Sequence, residues 1–194
     1  MKISVNKISK AYGRKSVLKD ISFEAESGQC IGFTGPNGCG KTTFLSILAG
    51  VEKPDGGSIS CNGLKIGYLP QINPLPDNLR VKDCLSLWCE NRKIYEELIA
   101  RYKLSDIQRM RISKLSGGMK RRVALCCALA VNPDVLVMDE PTAALDIYFK
   151  RLIHKDMQAF TDAGGILIMV THEREEMDMC DTCYVINKGK NDEI

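Results

Sequence analysis

Eight residues, Gly35-Pro36-Asn37-Gly38-Cys39-Gly40-Lys41-Thr42, constrain this chain more than any other stretch. They stand between the apolar run QCIGFTG and the helical pattern TTFLSILAG, so the expected local order is strand, glycine loop, helix. Glycines let successive backbone N–H groups curl inward around an anion. A helix beginning at the loop's end adds unpaired N–H groups and a partial positive charge, Lys41 adds a full one, and Thr42 offers an oxygen to Mg²⁺. The pattern G-x-x-x-x-G-K-[ST] in this setting predicts a cup for a polyphosphate.

The rest of the chain is patterned to continue that unit. DVLVMDE and ILIMVTH are continuous apolar runs of the kind buried parallel strands need, whereas LKDISFEAE and GGSISCNG alternate like half-exposed strands. Helical patterns intervene at MKRRVALCCALAV and YFKRLIHKDMQAF, which predicts an α/β fold with a largely parallel core. From Gln71 to Leu115 a proline-rich turn opens a run of helix formers, CLSLWCENRKIYEELIARYKL, read as an inserted helical lobe.

Composition narrows the function classes. A net charge of +3 is too small to argue for nucleic-acid binding, and none is expected. No apolar run reaches the roughly 18 residues of a membrane span, and the start MKISVNKISKAYGRK lacks an apolar signal core, so a cytoplasmic protein is expected. Nine cysteines in irregular positions fit reduced thiols, and Cys180-x-x-Cys183, without a second pair, reads as packed sulfur.

A phosphate cup serves kinases, GTPases and transport ATPases alike, so other residues must discriminate. VLVMDEPTAALD ends a buried strand in two carboxylates, and the carboxyl ends of strands in an α/β sheet are where ligands sit. Asp139 suits coordination of Mg²⁺ and Glu140 suits polarising an attacking water. In KLSGGMKRRVALCCALAV, Ser116, Gly117 and Gly118 open a helix with exposed N–H groups, a second anion site. The run Lys120-Arg121-Arg122 reads as a solvated helix face. Cys39, beside the helix start, is expected to lean toward thiolate, protected by bound nucleotide.

Taken in order, GPNGCGKTT, LSGGM, VLVMDE, AALD and VTH resemble the Walker A, signature, Walker B, D-loop and switch-histidine segments of the nucleotide-binding subunits of ATP-binding cassette (ABC) transporters. The likeness runs from Tyr12 to His172. It implies a P-loop NTPase fold: a RecA-like mixed and parallel core, an antiparallel β subdomain, and a helical subdomain at 72–118 within one domain, 1–194. It implies ATP and Mg²⁺ as cofactors, with Glu140, His172, Gln71 and Lys41 catalytic and Thr42, Gln71 and Asp139 at the metal. Nucleotide contacts would come from Tyr12 by stacking on adenine, from Gly35, Pro36, Asn37, Gly38, Cys39, Gly40, Lys41, Thr42 and Thr43, and from Ser116, Gly117 and Gly118 acting on a partner's ATP.

One copy of each motif implies a dimer of cassettes, with Asp146 at its interface, and a separate integral membrane permease. The permease would hold the chain at the inner face of the cell membrane, near Gln71, Leu75, Leu79, Leu87 and Trp88. Met119 stands where glutamine is usual, a lean toward export-type cassettes, and Ile147 replaces the common proline after Asp146. His154 reads as structural. The competing reading is a non-transport ABC ATPase that uses ATP closure as a mechanical clamp; a small-molecule kinase leaves LSGGM unexplained.

Overall fold

The computed structural model describes residues 1–61, 63–72, 74–187 and 189–193. Lys2–Tyr12 (β1) and Lys15–Glu26 (β2) pair as an antiparallel hairpin that buries Ile3, Val5, Ile8, Leu18, Ile21 and Phe23. The alternation slips between Val5 and Ile8, where Lys7 takes a φ of 50° and the ladder shifts register. Cys30–Thr34 (β3) leads through the glycine loop into Lys41–Leu48 (α1), and Gly56–Ser60 (β4) returns to pair antiparallel with β1.

Ile66–Leu69 (β5) precedes the helical lobe, which holds Val81–Ser86 (α2), Arg92–Arg101 (α3) and a 3-10 turn at Ile112–Lys114. Gly117–Ala130 (α4) leads to Val135–Asp139 (β6), Ile147–Asp162 (α5) and Ile166–Val170 (β7). Arg174–Met177 (α6), Thr182–Asn187 (β8) and Lys190–Glu193 (β9) follow.

Among the described residues the strands form two sheets, β2-β1-β4 and β5-β6-β7-β3-β8-β9. The second is parallel from β5 to β8, and β9 adds an antiparallel edge. Its central strands explain their own unbroken apolar runs, because both faces are covered. Val135 and Val137 of β6 join Ile31, Phe33, Phe44 and Ile168 in one core, while Leu136 and Met138 join Leu85, Leu125 and Leu167 in the other. Phe33 packs edge-on against Phe23 and Phe44, locking α1 between the two sheets. The α/β fold with an antiparallel subdomain is thus the one the sequence implied.

In this order β6, β7 and β3 are neighbours, so their carboxyl ends open side by side. The glycine loop leaves β3, Glu140 follows β6, and His172 follows β7 two residues on. The helical lobe differs from its sequence reading in one respect. Its helix-forming run breaks at 87–91, where Asn91 accepts from the Ile94 amide at 3.1 Å and starts a separate helix.

Candidate functional site

The glycine loop needs glycine where backbone approaches backbone. At Gly35 φ is 146°, and an added Cβ would stand 2.2 Å from the Ile186 carbonyl oxygen. At Gly40, φ 109°, it would meet the Val17 carbonyl oxygen at 3.0 Å and the Leu18 side chain at 2.8 Å. Lys41, the first residue of α1, is nearly buried, and its ammonium donates to the Gly35 and Pro36 carbonyl oxygens at 2.6 and 3.1 Å. The loop therefore holds a cation over its own carbonyls, ready to turn to a better acceptor.

A cleft of about 450 Å³ opens beside it, inside the size range of small-molecule sites. Its walls bring together Tyr12, Asn37, Gly38, Gly40, Lys41, Thr42, Thr43, Gln71, Asp139, Glu140 and His172, residues drawn from five segments of the chain. Val17, which sequence reasoning did not single out, lines it too. Gly35, Pro36 and Cys39 do not. The Cys39 sulfur instead lies near Gly35, where an added Cβ would meet it at 3.1 Å.

Thr42 Oγ1 donates to Asp139 Oδ2 at 2.7 Å. Burial raises the Asp139 carboxyl above its ordinary range, while the Thr42 hydroxyl and the charges of Arg121 and Lys41 oppose that. Glu140 sits at a φ of 53° and is raised mainly by burial, with His172 opposing. His172 Nε2 lies 3.6 Å from Glu140 Oε1, and its Nδ1 lies 3.5 Å from Thr34 Oγ1. At the outer edge Tyr12 is half exposed and its hydroxyl donates to both oxygens of Glu52, at 2.6 and 2.7 Å.

Ser116, Gly117 and Gly118 do not line this cleft. Ser116 caps α4 by accepting from the Met119 amide at 3.3 Å, and it stays exposed with Gly117. Asp146 caps α5 through the Phe149 amide, with Ile147 and Tyr148 exposed beside it. In the helical lobe Leu87 and Trp88 are exposed, whereas Leu75 and Leu79 pack against the core. His154 is held 3.4 Å from the buried Glu176 carboxylate, in keeping with a structural role.

Cys180 lies 3.5 Å from Cys30, and Cys183 donates to the Met177 carbonyl, so the pair is packed sulfur, as expected. Among the described residues no group of three or more His, Cys, Asp or Glu could hold a metal ion.

One expectation is overturned. Arg121, read from sequence as part of a solvated face, is 3% exposed. Its guanidinium donates to the carbonyl oxygens of Asp139 at 2.5 Å, Glu140 at 2.7 Å and Pro141 at 3.4 Å, and also to Pro70. Burial lowers it to about 10, opposed by the Asp139, Glu140 and Glu176 carboxylates, so it stays charged at neutral pH. The signal was present: Arg121, Leu125 and Ala128 fall at i, i+4 and i+7 on the buried side of α4. Glu176 offered no such signal. It lies on a four-residue helix, yet it is buried and accepts from the hydroxyls of Thr142 at 2.7 Å and Thr171.

Residues 18–143 match the family model for ABC transporters. The Nod factor export ATP-binding protein I of Paraburkholderia xenovorans is 35% identical over 208 aligned residues, covering 97% of this chain and 68% of that protein. An uncharacterized ABC transporter ATP-binding protein of Methanocaldococcus jannaschii, MJ1023, is also 35% identical, covering 97% and 75%.

Among solved structures, the ATP-binding cassette MJ0796, described as a dimer in a post-hydrolysis state with ADP and Pi, superposes with a TM-score of 0.90. It is 23% identical and shares the fold over 99% of this chain and 97% of that one. A second dimeric structure of MJ0796, described as a bacterial ABC transporter cassette, gives 0.87 at 25% identity, covering 98% and 96%. The match of the family model to most of the chain, joined to these relatives, places the protein in the ABC transporter family.

Proposed function

We propose that the chain is the ATP-binding and ATP-hydrolysing subunit of an ABC transporter, energising transport by a separate membrane subunit. Residues 1–194 act as one ATPase domain with a helical subdomain at 72–118. The observation that carries this reading is the cleft itself, which gathers a phosphate loop, two carboxylates, a glutamine and a histidine from distant segments.

The roles follow from position. Inward N–H groups of the loop and the start of α1 receive the phosphates, and Lys41 exchanges its two loop carbonyls for phosphate oxygens. Tyr12, its ring steadied through Glu52, offers a face for adenine. The hydroxyl of Thr42 and the carboxylate of Asp139 are hard oxygen donors already 2.7 Å apart, with Gln71 at the same cleft. They fit Mg²⁺, which takes one or two protein oxygens and fills its shell with phosphate and water. Bound there, the ion would neutralise charge on the phosphate oxygens.

Glu140 accepts the proton of the attacking water, and burial makes its carboxylate a stronger base. His172, 3.6 Å away, holds that carboxylate in place and reaches toward the terminal phosphate.

Ser116 and Gly117, exposed, and Gly118 beside them, all outside the cleft, serve the ATP of a second cassette, which closes the site from the other side. ATP then supplies contacts present only in the closed pair, and hydrolysis removes them. The dimers described for MJ0796 support this arrangement. No helix among the described residues is long and apolar enough to cross a membrane, and we assign the chain to the cytoplasmic face, held there by its permease. The export named for its relatives supports export as the direction. Phosphate release by the purified chain tests the reading: it should require ATP and magnesium together, and no release above the protein-free rate would refute it.

A further inference from the structure

The buried fork of Arg121 joins two strand ends that each deliver a cleft residue. Pro70 directly follows β5 and precedes Gln71, and Asp139 ends β6 and precedes Glu140. β5 and β6 are parallel neighbours with Leu69 opposite Met138, so the two exits lie side by side. Their carbonyls converge on a single guanidinium carried by the second turn of α4.

The last pair between β6 and β7 is Asp139 with Val170, and the residue beyond it is held by the ladder on one side at most. Glu140 most needs such fixing, because a non-glycine residue at a φ of 53° occupies a sparsely populated region. Its amide already donates to the Val170 carbonyl at 2.8 Å. The Arg121 bond to its carbonyl at 2.7 Å holds the opposite side of the residue, and Pro141 is held next to it. A cation buried this deeply would be costly without fixed acceptors, and its backbone carbonyls supply them.

We propose that Arg121 is a positioning residue for hydrolysis: its guanidinium sets the placement of the Glu140 peptide relative to the segment carrying Gln71. The inference rests on the hydrolytic reading above. Arg121 touches neither nucleotide nor water in this account; it acts through Glu140. The geometry separates its effect on turnover from any effect on binding, because its acceptors at Pro70, Asp139, Glu140 and Pro141 all lie outside the phosphate loop.

The test uses Arg121→Lys, which keeps the charge but has one nitrogen to meet these carbonyls, and Arg121→Gln, which keeps two N–H donors without a charge. For each, kcat and KM for ATP are measured with magnesium, alongside the Kd for a non-hydrolysable ATP analogue and a thermal melt. Misplacement of a catalytic group by about 1 Å costs on the order of a hundredfold, so kcat should fall about ten- to a hundredfold in both variants. KM and Kd should stay within about threefold of wild type, the accuracy to which an unperturbed site is expected to hold. A kcat within about twofold of wild type in both variants overturns the proposal. So does a loss of kcat matched by the unfolded fraction in the melt, or by an equal loss of affinity. If wild type hydrolyses no ATP, the functional reading falls and takes this inference with it; if wild type turns over and the variants match it, only the role of Arg121 falls.

Discussion

Thr42 Oγ1 donates to Asp139 Oδ2 at 2.7 Å, tying the first turn of α1 to the carboxyl end of β6 inside the cleft. Thr42→Val keeps the side-chain shape and leaves a buried carboxylate short of a donor. The nucleotide-free chain should lose about 1–3 kcal/mol in urea denaturation. Its turnover should also need more magnesium than wild type, which a magnesium titration of phosphate release measures. Equal stability and equal magnesium demand would disconnect this pair from the site.

Lys41 is a nearly buried cation whose acceptors in the free chain are two loop carbonyls. Lys41→Ala removes a charge-assisted contact worth about 1.5–3 kcal/mol, so the Kd for ATP should rise about ten- to a hundredfold in calorimetry. Arg at this position should not restore binding, because its planar fork cannot replace a point charge in a cup this tight.

Tyr12 keeps its ring at the cleft edge through Glu52, which accepts its hydroxyl on both oxygens. Tyr12→Ala forfeits stacking worth about 0.5–1.5 kcal/mol, a two- to tenfold rise in Kd for ATP. Tyr12→Phe should fall between the two, since it loses only the tether. If Phe binds as weakly as Ala, the hydroxyl and not the ring carries the contact.

Glu176 gathers the hydroxyls of Thr142 and Thr171, which flank the segments bearing Glu140 and His172. Glu176→Gln turns one acceptor into a donor facing these groups and should cost about 1–3 kcal/mol in urea denaturation. Thr142→Val and Thr171→Val should be less than additive in the double variant, because both bonds end on one carboxylate. Full additivity would show that Glu176 does not couple them.

Burial pushes the Cys183 thiol up to about 11. The thiol is therefore protonated through neutral pH, and its thiolate fraction grows about tenfold per pH unit until that value is passed. Residue-resolved iodoacetamide labelling should climb steadily from pH 7 to 10, whereas an ordinary thiol levels off above about 8.5. A plateau near pH 9 would contradict a buried environment.

What the sequence made legible was what lies close together along it. The glycine loop, the Asp139-Glu140 pair and the serine cap at 116 are contiguous, and each carries its chemistry in residue type and spacing. The central strands β3, β6 and β7 announced themselves because burial on both faces demands unbroken apolar runs. Strand β5, four residues around a glycine, and strand β8, mostly half buried and polar at both ends, lack that mark and take their state from their neighbours in the sheet.

Arg121 shows the harder limit. Three consecutive basic residues look solvated, and only the approach of β5 and β6 supplies the carbonyls that draw the middle one inward. Glu176 is legible only once the loops after β6 and β7 are folded over it. Tyr12, Gln71 and His172 are single residues whose meaning in the sequence came from family resemblance; the fold sets all three at one cleft.

The central claim is that this cleft hydrolyses ATP with Glu140 as the base, and Glu140→Gln tests it most directly. The variant keeps the size and much of the hydrogen bonding of the side chain but cannot take up the proton. Measured side by side, its Kd for ATP should match wild type, while steady phosphate release with magnesium falls by at least about a hundredfold. Release at the wild-type rate with unchanged affinity would contradict the account.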